Sequence, residues 1–197
     1  MYVNTEQKWL SYKLGDCYYK VPTFGRIFKI IDFGRSIFEY RGQRFASDSF
    51  QKGEDAAGQY NCAPFLNTNK PELLPNRSFD LCRLGCSLFD YFFQNVGESL
   101  ESDLSPLEKL VVGWCTDSSG KNLLYKNNGE DRYPGFKLYK MIARKALNLE
   151  PERVIVTEPV FAQYRTTRKQ ATKTKVYDLD SGPDLARHND ARSPAHL

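Results

Sequence analysis

Ser78-Phe79-Asp80-Leu81-Cys82-Arg83-Leu84-Gly85 opens a mostly apolar run that continues to Phe93, and the reading of this stretch decides the fold. The Ser78 hydroxyl can cap free amides, so a helix is predicted to begin there. Leu81, Leu84, Leu88 and Phe92 recur at helical spacing while apolar residues occupy the other faces too, which predicts a central helix buried almost all round. Downstream, Ser105-Pro106-Leu107-Glu108 joins a cap, a first-turn proline and an acid at the positive helix end, predicting a second helix to about Cys115. Phe136 to Leu147 predicts a third. Upstream, Phe33 to Pro75 is rich in Gly, Ser, Asp, Gln and Asn without steady periodicity, the texture of a long irregular segment, and such loops are usually functional or disordered. Before it, Tyr, Phe, Ile and Val from Lys8 to Asp32 are broken by Leu14-Gly15-Asp16, Pro22 and Gly25, which predicts two or three antiparallel strands, the last from Ile27 to Asp32. The expected fold is α+β, mainly α, with a short N-terminal β-hairpin element. One domain is expected over 1–161, and a polar, basic, disordered tail over 162–197.

Composition narrows the setting. A chain of 197 residues, 41% hydrophobic, can bury one core. Its 28 basic and 24 acidic residues select no partner. Five cysteines without a CxxC pair, and histidines confined to His188 and His196, argue against zinc and for reduced, buried thiols in an intracellular, cytoplasmic protein. No apolar run approaches the ~20 residues of a membrane span, and no signal-peptide hydrophobic region is seen, so no membrane partner is expected.

Chemistry is suggested by Phe28-Lys29-Ile30-Ile31-Asp32-Phe33-Gly34, which reads as an apolar strand ending in a carboxylate, an aromatic and a glycine. Magnesium takes oxygen ligands, typically one or two protein carboxylates beside phosphate oxygens, so Asp32 could hold such an ion against a triphosphate. Taken alone, an aspartate entering a glycine turn is also ordinary punctuation at a strand end.

The Ser-x-Asp-x-x-x-Leu-Gly stretch from Ser78 follows that triplet by about fifty residues, and together they resemble the protein kinase family over Asp32 to about Leu147. Ala63-Pro64-Phe65 stands where the family has Ala-Pro-Glu. The resemblance implies a kinase-like C-terminal lobe. Asp32 would ligate the magnesium on ATP, Phe33 would pack inward, Gly34 would supply the flexible turn, and Asp80 would hold the catalytic loop from below. For Asp80 the plainer reading, a carboxylate attracted to a helix N-terminus, stands beside it. Arg132-Tyr133-Pro134-Gly135-Phe136 is similar to the family's late arginine-proline element, but Phe65 replaces the glutamate that such an arginine pairs with. The wording around Gly25 to Ser36 and Arg132 to Arg144 is similar to divergent kinase-like proteins of large DNA viruses.

A kinase also needs a Gly-rich loop, a strand lysine and a catalytic loop, and nothing before Asp32 has them. Met1-Tyr2-Val3 resembles the strand that follows the catalytic loop. The chain is therefore expected to be a fragment of a kinase-like domain whose intact parent uses Mg²⁺ and ATP on protein serine or threonine. It should itself bind ATP weakly or not at all, and contain no complete catalytic set. Its expected partners are a protein substrate or the missing N-terminal lobe. A pseudokinase-like interaction module is the alternative, and a nucleic-acid contact through Arg165 to Lys175 the minor one, since the basic run lacks aromatic interleaving beyond Tyr164 and Tyr177. Ser36, Ser47, Ser49 and Tyr60 are candidate phosphorylation positions near Arg35, Arg41 and Arg44, though unmodified loop hydroxyls are the commoner case.

Overall fold

The computed structural model describes residues 1–95, 97–100, 103–147 and 149–180; His188, His196 and the last part of the expected tail lie outside them. In chain order the strands are β1 (Tyr2–Asn4), β2 (Trp9–Leu14), β3 (Cys17–Pro22), β4 (Arg26–Phe28), β5 (Ile37–Tyr40) and β6 (Gln43–Ala46). Helices α1 (Ser78–Phe92), α2 (Pro106–Trp114), α3 (Lys137–Lys145), α4 (Pro151–Thr157) and α5 (Pro159–Ala162) follow. Then come β7 (Arg165–Thr166), α6 (Arg168–Ala171) and β8 (Val176–Asp178). Where one domain over 1–161 was expected, the described residues fall into two compact units: residues 1–30 with 161–180, and residues 31–160.

In the first unit β2 and β3 form the expected hairpin, Trp9 opposite Pro22 and Leu14 opposite Cys17. Its two-residue turn works because Gly15 takes φ +56°, a left-handed conformation that glycine adopts without steric cost. The full sheet order is β7-β3-β2-β8, with β8 parallel to β2. Residues 162–180 are thus not a tail. Leu10, Leu14, Tyr19 and Ala171 are buried, Ser11 Oγ and Thr174 Oγ1 lie 2.8 Å apart, and Asp180 accepts the Gly15 N–H at 2.8 Å. Strand β8 satisfies its backbone on β2, and this long-range pairing outweighs a composition that reads as solvated.

A separate antiparallel pair joins β1 to β4, with Tyr2 opposite Phe28. The strand expected to run to Asp32 stops at Phe28, because the ladder holding it ends where the Lys29 N–H meets the Met1 carbonyl. Ile30 is 85% exposed as a result.

The second unit is built around α1, but only one face of that helix is buried: Ser78, Cys82, Gly85, Cys86 and Phe89. Leu84 and Tyr91 face solvent, so α1 is amphipathic and not buried all round. Cys82, Cys86 and Phe89 join Val111, Cys115, Leu123, Ile142 and Ala146 in one apolar core between α1, α2 and α3. Ser78 lies inside the first turn and is no cap; its hydroxyl accepts the Leu149 N–H at 2.9 Å. Helix α2 has the expected Ser105 cap and first-turn proline, and its acid goes further than attraction to the helix end: Ser105 Oγ accepts the Glu108 N–H and the Glu108 carboxylate accepts the Ser105 N–H, a capping box. Inside the stretch expected to be irregular, β5 and β6 form a hairpin, since Arg41 and Gly42 both have positive φ and make a two-residue turn that matches strand twist.

Candidate functional site

Asp32, Phe33 and Gly34 form an exposed turn at the start of the second unit. Asp32 has φ +63°, a left-handed conformation that is uncommon for a residue with a Cβ and is enriched in Asp and Asn. The turn is fixed from both sides. Gly34 N–H donates to Asp32 Oδ1 at 3.3 Å, while the Gly34 carbonyl accepts the Ser47 hydroxyl at 2.5 Å and the Ser49 hydroxyl at 3.5 Å. A Cβ on Gly34 would stand 3.2 Å from Asp32 Oδ1, tight enough to disturb the carboxylate. Asp32 has no ion pair among the described residues, and its second oxygen accepts no hydrogen bond there. Phe33 is 65% exposed and does not pack inward as expected, because β4 ends too early to carry it into a core.

These residues offer a metal one carboxylate and no more. Among the described residues no group of three Asp, Glu, Cys or His side chains could hold an ion. A magnesium ion that brings its own phosphate oxygens and waters fits one such ligand, whereas a metal held by protein groups alone does not.

Asp80 sits in the first turn of α1, exposed, and makes no hydrogen bond or ion pair among the described residues. Loss of solvation against the protein around it raises its carboxyl from the usual aspartate value. Beside it, Tyr60 packs between Phe50 and Phe79, with ring centroids 5.9 and 6.2 Å away, and desolvation is the main force pushing its phenol up to about 12. Of the candidate phosphorylation positions, Ser47 and Ser49 are engaged on the Gly34 carbonyl, and Arg35, one of the nearby arginines, is paired with Asp55 at 2.9 Å. Arg132, deprived of a glutamate at Phe65, donates to the Asn122 and Tyr125 carbonyls at 2.6 and 3.2 Å and closes the loop between α2 and α3.

Two polar clamps that the sequence reading missed shape the rest of this unit. The Asn61 amide donates to the carbonyls of Asn67, Lys70 and Pro71 while its oxygen accepts the Asn67 N–H at 2.8 Å. Asn61 and Leu73 also exchange both backbone hydrogen bonds. Arg144 of α3 reaches the Gly58 carbonyl at 2.8 Å and the Gln59 carbonyl at 3.4 Å. Between loop 50–73 and α3 these clamps leave a cleft of about 1220 Å³. The Lys140 and Arg144 pair, one turn apart on α3, was the available signal.

Cys62, Cys82, Cys86 and Cys115 are buried and all five cysteines are free. Cys86 lies within hydrogen-bonding reach of Cys115 and Cys82, which lowers its thiol and raises the other two, burial adding to the rise. No helix among the described residues is long and apolar enough to cross a membrane. No protein-family model, curated protein or solved structure matches the chain.

Proposed function

We propose that residues 31–160 carry the magnesium-holding turn and the supporting helices of a protein-kinase-like phosphoryl-transfer domain, and that the chain does not catalyse transfer unaided. The observation carrying this reading is Asp32: a carboxylate with one oxygen uncommitted, on a left-handed turn that Ser47 and Gly34 hold in place. Backbone held in a sparsely populated region tends to gather at functional sites. In this reading Mg²⁺·ATP supplies the phosphoryl group and most of the metal's ligands. Asp32 contributes one oxygen, Gly34 keeps the approach open, and α1, with Asp80 in its first turn, supports the turn's unit.

Inactivity alone follows from what phosphoryl transfer requires. The transition state is stabilised by several positioned charges together, and one carboxylate leaves most of that stabilisation unmade. Residues 1–31 contain neither a Gly-rich loop nor a catalytic loop. Protein substrates, or a polypeptide completing the nucleotide site, are the proposed partners, and a pseudokinase-like interaction module is the second reading. The cationic cleft beside α3 favours that second reading, because it offers a surface for a partner without nucleotide chemistry.

Calorimetric titration of Mg²⁺·ATP into the chain, and into a longer polypeptide adding a Gly-rich loop, strand lysine and catalytic loop upstream, separates the two. Markedly tighter binding by the longer form supports the kinase-like reading; binding by neither favours the interaction module. Phosphate transfer by the chain alone, abolished in Asp32→Asn, would refute its predicted inactivity.

A further inference from the structure

The cleft between loop 50–73 and α3 has a chemistry of its own. Lys52, Lys70, Lys140 and Arg144 line it against a single carboxylate, Glu72. Arg144 is committed to backbone carbonyls, but none of the three lysine ammonium groups has an ion-pair partner among the described residues. Lys140 lies over the Phe136 ring at 5.6 Å and keeps its charge available. Phe50, Tyr60, Phe65 and Leu73 add apolar surface to the lining of the same cleft. At about 1220 Å³ the cleft exceeds the roughly 300–1,000 Å³ of ordinary small-molecule sites, and its breadth suits a run of chain.

We propose that this cleft docks an acidic peptide segment of a protein partner, with an apolar or aromatic side chain of that segment against Phe50 and Tyr60 and its carboxylates facing Lys52, Lys70 and Lys140. Three features favour it over a non-specific basic patch. The walls are set in advance by the Asn61 and Arg144 clamps, so little ordering of the protein opposes binding. Cations and aromatic side chains line the same cleft, matching a peptide that mixes acidic and apolar residues. Lys52 and Lys70 are exposed and Lys140 is half-buried, so these cations steer and select the partner more than they add raw affinity. The inference does not depend on nucleotide chemistry at Asp32.

The test is fluorescence anisotropy with a labelled peptide of alternating glutamates around a central Leu-Phe pair. The comparators are a peptide with lysines in place of the glutamates and a single-stranded oligonucleotide. The acidic peptide is expected to bind, to weaken as salt rises, and to shift backbone resonances of residues 50–73 and 140–144. Lys52→Glu and Lys70→Glu, both at exposed positions, should each weaken it by about tenfold without moving the urea midpoint. Equal binding of the basic peptide, tighter binding of the oligonucleotide, or acidic-peptide binding unchanged in both variants would overturn the proposal. So would the absence of binding.

Discussion

Gly85→Ala tests the packing that places α1 at the centre of its unit. At position 85 α1 packs tightly against the end of α2: an added Cβ would lie 2.6 Å from the Trp114 Cβ and 3.3 Å from the Cys115 Sγ. The Trp114 Cβ is fixed to its backbone, so no flexible side-chain end can swing aside and the helices must separate. In an exposed helix the same change gains about 1 kcal/mol, since alanine loses less conformational freedom than glycine. Overpacking a core typically costs ~1–3 kcal/mol, and contact with a backbone-anchored atom puts this case at the upper end. The net expectation is a loss of about 2 kcal/mol, or a Tm lower by about 4–8 °C for a chain of this size. Gly113→Ala on the facing helix is the control, because a Cβ there meets nothing within 4 Å and should be neutral or stabilising by up to ~1 kcal/mol. Urea unfolding followed by far-ultraviolet circular dichroism reads both, since the long helices belong to this unit. A Gly85→Ala protein as stable as the parent, or a Gly113→Ala protein equally damaged, would refute the packing.

Two further outcomes are expected. A thiol-disulfide dye should react quickly with Cys17 alone in the native protein and with all five cysteines in denaturant, since the other four are buried and desolvation raises Cys62; rapid native reaction of a second thiol would contradict the burial. The Glu108 carboxyl is held below its ordinary value of 4.5 by its hydrogen bonds with Ser105. A depressed acid stabilises the fold above its unfolded value and loses that contribution as pH falls through the folded one. Urea midpoints should therefore drop on acidification through that range, and the drop should be shallower in Glu108→Gln; identical profiles would show that the capping carboxylate contributes nothing.

The features legible in the sequence were those decided locally. The α2 capping box needs only Ser105, Glu108 and a first-turn proline, and the β2–β3 turn needs only Gly15. Helix α1 was legible in extent, but its buried face was not. Its cysteines and Gly85 carry little apolar surface in the sequence yet lie inward, while Leu84 and Tyr91, which carry more, lie outward. The β5–β6 hairpin was hidden by its polar surroundings, although Ile37-Phe38-Glu39-Tyr40 and Gln43-Arg44-Phe45-Ala46 flank a two-residue turn with Gly42.

What failed was decided at long range. Strand β8 gains its place only by pairing with β2 more than a hundred and sixty residues earlier, which no local pattern encodes. Phe33 was expected inside only because the resemblance to protein kinases implies an inward aromatic there, but it lies in solvent. Of the candidate site, Asp32 could be read as a carboxylate entering a glycine turn, while the end of its strand at Phe28, its left-handed backbone and the Ser47 anchor could not. The cleft was illegible for a similar reason. Asn61 and Arg144 shape it through bonds to backbone carbonyls, and any residue type could supply those carbonyls.

The central claim is that Asp32 presents an available carboxylate to a nucleotide-borne metal, and paramagnetic broadening tests it most directly. With Mn²⁺·ATP at millimolar concentration as the probe, the amide signals of Asp32, Phe33 and Gly34 should broaden first, and Asp32→Asn should remove that broadening without lowering the urea midpoint. Broadening that spares this turn, or persists there unchanged in Asp32→Asn, would contradict the account.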